Sequence, residues 1–274
     1  MISFFFKQPY LLDAIGGGVY LQRVSARVRG EEIANYLKAK INPKENYEND
    51  IRIYIKPSHL DHIKAGSYVD VLDGLYGFEL LKTRPDLKVI AMSLTHFEFL
   101  KKGLKNKVFL IPHHHVNFER ATRKRKKIIT CGYVGVSRSN HFRINNKVKV
   151  NLEKIGFKFK PLLNYQTRQD IINYYKTIDL QIIGYFDFYK DSPYRHPTKI
   201  INAASFGIPT IAGPVLGFKE MEGYYVPTGN MEALLAAAQE MRDQKYYNRW
   251  SAKVKKEAEK YHISNIAKLY QQLI

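Results

Sequence analysis

The stretch Arg195-His196-Pro197-Thr198-Lys199-Ile200-Ile201-Asn202-Ala203-Ala204-Ser205-Phe206-Gly207-Ile208-Pro209-Thr210-Ile211-Ala212-Gly213-Pro214 decides how this chain reads. Pro197 suits the first turn of a helix, where a missing N–H costs nothing. Ile200, Ile201, Ala203 and Ala204 give that helix an apolar face, Gly207 stops it, and Pro209–Ala212 forms a short buried strand. A helix start carries unpaired amides and partial positive charge, and Thr198 and Lys199 stand there. Placed past the carboxyl end of a parallel strand, it is a seat for a phosphate. The same spacing also serves as an ordinary helix–strand joint.

Outward from this stretch, strands and helices alternate. The first half predicts strands at Ile2–Phe6, Asp50–Ile55, Tyr68–Leu72, Lys88–Met92 and Val108–Ile111, with helices at Val19–Lys40, Gly77–Lys82 and Thr95–Gly103. The second half repeats the alternation from Ile128 and closes with helices at Tyr246–Tyr261 and Ser264–Leu273. Between them Arg120–Lys127 reads as an exposed connection, too polar to pack. The fold class is therefore α/β with two Rossmann-like domains. The expected division is 1–118, a basic linker at 119–127, a second domain at 128–260 and a final helical segment at 261–274.

With 274 residues and 45% apolar content the chain can bury one large core or two modest ones. It has no apolar run of about 18 residues, the length a membrane span needs. Met1–Phe6 lacks a basic flank and a cleavage site, so it reads as a strand and not a signal peptide. The single cysteine, Cys131, permits no internal disulfide and no thiolate metal cluster, and its apolar flanks make it inert. A cytosolic location fits. Net charge is +19, and between Glu119 and Lys160 thirteen Lys and Arg face two acids. Such a field favours polyanions: nucleotide diphosphates, an anionic membrane surface or nucleic acid.

The segment from Tyr194 to Pro214 resembles the donor-sugar segment of group 1, GT-B-type glycosyltransferases: a Pro-Thr-Lys start, an Asn-Ala pair, Ser-x-Gly-x-Pro and a closing Gly-Pro. The resemblance implies two Rossmann-like domains facing a cleft, with a last helix crossing back onto the first domain. It implies transfer of a sugar from a nucleotide-sugar such as a UDP-sugar to a hydroxyl of a glycan or lipid-linked saccharide. Well-known members carry two glutamates where this chain has Tyr194 and Asn202. Asn202 can hydrogen-bond a sugar hydroxyl but cannot act as a carboxylate.

Residue by residue, the resemblance puts Lys199, Thr198 and Asn202 on the donor, with Arg138 and Gly135 supplied by the turn Gly132–Arg138. Arg138 offers a planar fork and Lys199 a point charge to the departing diphosphate. With no Asp-x-Asp motif in the chain, the implied transfer needs neither metal nor cofactor. Tyr165 and Tyr185 are candidates for base or sugar contacts, and packing under loops explains them equally well. The turn at Gly16, Gly17 and Gly18 resembles the first-domain loop of these enzymes, which implies that it meets phosphates or acceptor. Asp73 and Asp13 are the candidate bases for the acceptor hydroxyl, although an aspartate beside glycine commonly caps a turn. His113 and His115 would line the cleft; on an extended chain only these two of the His113–His115 triplet could share an ion.

Two further readings stand beside the glycan transferase. One is a DNA-modifying glycosyltransferase of viral type, its Arg120–Lys127 run tracking phosphates. The other is a degenerate transferase that binds nucleotide or polyanion without turnover.

Overall fold

The computed structural model describes residues 1–6, 26–72, 76–123, 127–135, 141–163, 165, 167–184 and 190–273. It divides into two compact units. The first comprises Met1–His114, Pro193–His196 and Ile263–Ile274; the second comprises His115–Ser192 and Pro197–His262.

In the first unit, strands β1 (Ile2–Phe5), β2 (Lys40–Ile41), β3 (Ile51–Ile55), β4 (Tyr68–Asp70), β5 (Lys88–Ala91) and β6 (Val108–Leu110) form one parallel sheet in the order β2-β1-β3-β4-β5-β6. Helices α1 (Glu32–Leu37), α2 (Tyr76–Lys82) and α3 (Leu94–Gly103) connect them. The strands are mostly apolar because a parallel sheet is covered on both faces. Val69, Val89 and Ala91 pack with Leu81 and Leu100 from the helices. The expected helix Val19–Lys40 is shorter at its carboxyl end. Lys38 turns left-handed (φ 54°) and closes α1, and Lys40 and Ile41 then pair with Ser3 and Phe4 of β1. Ahead of α1, Arg27–Glu31 forms a wide π-helical turn. Gly30 is required there, because a Cβ would sit 2.5 Å from the Phe6 ring.

The second unit holds β7 (Thr130–Val134), β8 (Lys158–Leu162), β9 (Leu180–Ile183), β10 (Thr210–Ala212) and β11 (Val226–Pro227), all parallel in the order β11-β10-β9-β7-β8. Its helices are α4 (His141–Lys154), α5 (Arg168–Tyr175), α6 (Thr198–Ser205), α7 (Met231–Glu240) and α8 (Gln244–Ala258). Thr167 and Asp170 make a reciprocal capping box at the start of α5. Cys131 lies fully buried in β7, and burial pushes its thiol well up, away from reactivity. The last helix, α9 (Ile263–Gln271), belongs to the first unit, where Tyr270 packs on Phe4 with ring centroids 5.5 Å apart.

The basic stretch departs from its sequence reading. The division of the two units falls at His114/His115, so 115–123 belong to the second unit; among the described residues of the run Arg120, Thr122 and Lys127 are exposed and Arg123 is not. Arg123 is 7% exposed; its Nη1 donates to the fully buried Asp179 and its Nη2 to the Tyr247 hydroxyl. Arg120 pairs with Glu259. The buried carboxylate of Asp179 holds Arg123 inside the unit, whereas the Arg120–Glu259 pair lies half exposed at its surface.

Candidate functional site

In the second unit α6 begins at Thr198, after β9 and on the carboxyl side of the sheet. Pro197 occupies the N-cap and not the first helical position, one residue earlier than its sequence reading; no N–H is lost either way. Ile200, Ile201, Ala203 and Ala204 are buried, so core packing fixes the helix and leaves half-buried Thr198 and Lys199 at its first turn.

Gly135 and Lys199 meet on the same ring. Lys199 Nζ lies 5.9 Å from the centroid of Tyr133, a cation–π distance. A Cβ on Gly135 would stand 2.4 Å from that ring, and the Gly135 N–H donates to Leu162 O at 3.0 Å. Tyr133 is 1% exposed and was not singled out by sequence. Its signal was its place in Cys131-Gly132-Tyr133-Val134-Gly135, where an aromatic between two glycines has room to lie flat against backbone. Tyr165 packs beside Val134 and Ala203, and burial raises its phenol above the usual range.

Asn202 has one of its two polar atoms engaged within the second unit. It is 8% exposed, and its Oδ1 accepts the Val116 N–H at 3.0 Å. Asn117 fastens the same segment, donating from Nδ2 to Ser205 O at 3.0 Å. Tyr194, at the other position where the resemblance expects glutamate, lies in the first unit. Its ring centroid is 5.0 Å from that of Phe99 and 5.9 Å from that of His96.

The histidine triplet is parted. His115 lies in the second unit, where its Nδ1 accepts the Asn117 N–H at 3.2 Å and its ring meets His262 at 5.4 Å. His114 Nε2 donates to Val28 O at 2.8 Å in the first unit. His113, 5% exposed, lies 4.3 Å from the ring of His196. Neither ring nitrogen of His113 has a hydrogen-bond partner among the described residues. Burial, then His196 and Arg29, hold its imidazole well below the usual range, so it is neutral. Among the described residues no three His, Cys, Asp or Glu side chains gather as a metal site.

Close by, Arg29 pairs with Asp70 at the carboxyl end of β4, both buried. Burial pushes the Asp70 carboxyl up against the pull of Arg29. Asp73 is the sequence candidate on the loop after β4; the signal for Asp70 is a charge inside Tyr68-Val69-Asp70-Val71-Leu72, which demands a buried partner. Asp73, Asp13, Arg138, Tyr185 and Gly16, Gly17 and Gly18 lie outside the described residues.

Solved structures of glycosyltransferases share this two-unit α/β fold. HepE from Anabaena, solved with UDP and glucose, matches with a TM-score of 0.63 and 11% identity over 98% of both chains. A glycosyltransferase from Rickettsia africae matches with 0.59 and 14% over 99% of this chain and 97% of that one. TarM matches with 0.57 and 12% over 84% of this chain, which spans 51% of the TarM chain. The fold is thus two Rossmann-like units of the GT-B type. No protein-family model matches the chain, and no curated protein does.

Proposed function

We propose that the chain is a nucleotide-sugar-dependent glycosyltransferase whose second unit holds the donor. The observation that carries this reading is the first turn of α6, where Lys199 stands beside Gly135 and Tyr133 at the positive end of the helix. In transfer, the acceptor oxygen bonds to the sugar's anomeric carbon as that carbon's bond to the diphosphate oxygen breaks. The diphosphate leaves with the electron pair, and the acceptor proton passes to a base. Lys199, Thr198 and the α6 amides, with Arg138, neutralise the departing charge without a metal. Asp73 or Asp13 takes the proton. HepE, a protein of the same fold, was solved with UDP and glucose, which supports a UDP-sugar as donor. The acceptor is a glycan or lipid-linked saccharide; with Arg123 buried on Asp179 and Arg120 paired with Glu259, the basic run has less charge to offer DNA or headgroups.

Titration of UDP-glucose by calorimetry, with product analysis, tests this. A hydrogen bond to a charged phosphate contributes about 1.5–3 kcal/mol, so Lys199→Ala is expected to weaken binding at least tenfold. Unchanged affinity would refute the donor site. Binding without hydrolysis or transfer would make the chain a degenerate binder.

A further inference from the structure

The first unit contains a cavity of about 810 Å³ at the carboxyl ends of its strands β1 and β3, beside the residue that follows β2. Its size suits one or two sugar rings. Aromatic side chains form one wall. Phe5 and Tyr54 stack with centroids 4.6 Å apart and planes 13° from parallel, and Tyr47 stands edge-on to Phe5 at 5.1 Å. The wall is held by the strand pairing of Phe5 with Tyr54.

Phe6, Ala26, Ile55 and Pro57 add apolar lining, and polar groups stand among them. Asn42 lies at φ 45°, and its side chain grips Phe6 by both backbone groups, each at 2.9 Å. Lys56 lies at φ 47°, its N–H bonded to Asp70 O at 2.8 Å. Left-handed backbone at a lysine costs on the order of 1 kcal/mol, and here two such residues border one cavity. Burial raises the Tyr54 phenol, so it keeps its proton and can donate. Ser58 and His62 also line it. Among the described residues lining the cavity Lys56 is the one full cation, and none is a carboxylate.

Flat apolar rings beside hydroxyl and amide groups fit a pyranose, which has a C–H face and a hydroxyl edge. We propose that this cavity binds a sugar ring, and that Lys56 favours a ring carrying a carboxylate or phosphate. Calling that ring part of the acceptor rests on the transferase reading; the binding itself does not.

Saturation-transfer NMR on the full chain, with glucose, glucuronate and glucose 6-phosphate, each with and without saturating UDP, decides the matter. Both acidic sugars are expected to receive saturation that UDP does not displace, and to bind about fivefold tighter than glucose. Lys56→Met should erase that preference, and Tyr47→Ala should weaken all three sugars about tenfold. Transfer to none of the three sugars, or displacement of all by UDP, would overturn the proposal. Equal binding of glucose and both acidic sugars would remove the role of Lys56, and a preference for only one would name carboxylate or phosphate as the group read. Should Tyr47→Ala fail to fold, the wild-type and Lys56→Met spectra still decide. Sugar binding in a chain that ignores UDP-glucose would sink the transferase reading and leave this one standing.

Discussion

Each unit buries an aspartate against an arginine, yet the two carboxylates are treated differently. In the second unit Asp179 immediately precedes β9, at the amino edge of the sheet. Its Oδ1 accepts from Arg123, and its Oδ2 accepts the N–H groups of Ile129 and Thr130 at 3.0 and 2.8 Å. In the first unit Asp70 ends β4 at the carboxyl edge. Arg29 engages its Oδ2, while Oδ1 and Arg29 Nη2 have no hydrogen-bond partner among the described residues. The contrast lies in the two carboxylates: both oxygens of Asp179 are used by the fold, whereas Asp70 keeps one unused at the carboxyl edge, the side on which open α/β sheets bind ligands.

The sharpest way to break this contrast is to remove both carboxylates in turn. Asp179→Ala strands a buried guanidinium and two amides and is expected to cost about 3–5 kcal/mol in urea unfolding. Asp70→Ala should cost less, since one of its oxygens contributes no bond to lose. Equal losses would show that both aspartates are structural in the same sense.

Next in size is the pH response of His113. Its folded form resists a proton that the unfolded chain accepts at about pH 6.5, so the unfolded state binds more protons below that value. Stability is therefore complete above about pH 6.5 and falls as acid is added, by up to about 1.4 kcal/mol per pH unit. Unfolding curves at pH 7.5 and 5.5 should show a smaller difference for His113→Phe than for the wild type. An unchanged difference would assign the acid sensitivity to other groups.

The smallest effect belongs to Arg120→Ala. Its pair with Glu259 is half exposed and screened, so the loss should stay under about 1 kcal/mol. A loss as large as that of Arg123→Ala would mean that exposure does not separate the two arginines of the run.

The sequence made the βα alternation readable because its signals are local. Apolar runs mark strands, Thr167-x-x-Asp170 marks a helix start, and Gly207 (φ 68°) marks a helix end. The start of α6 was legible to within one residue for the same reason. What escaped was set by distant partners. Lys40 and Ile41 are a strand only because Ser3 and Phe4 lie alongside them. Arg123 sits in a run of cations, and only Asp179, fifty-six residues on, makes it internal. His113 and His115, two residues apart, find rings at His196 and His262. The lining of the sugar cavity was invisible for the same reason: Phe5, Asn42, Tyr47 and Tyr54 come from separate strands and turns, joined only by register.

The place of α9 bears on the order in which the protein is made. Tyr270 rests on Phe4 of the first strand, and the ring of Tyr270 lies 6.0 Å from the Arg29 guanidinium. A ribosome delivers Phe4 well before Tyr270. All of the second unit is synthesised in between, so during translation the first sheet waits with this part of its covering absent while the second already has every residue it needs.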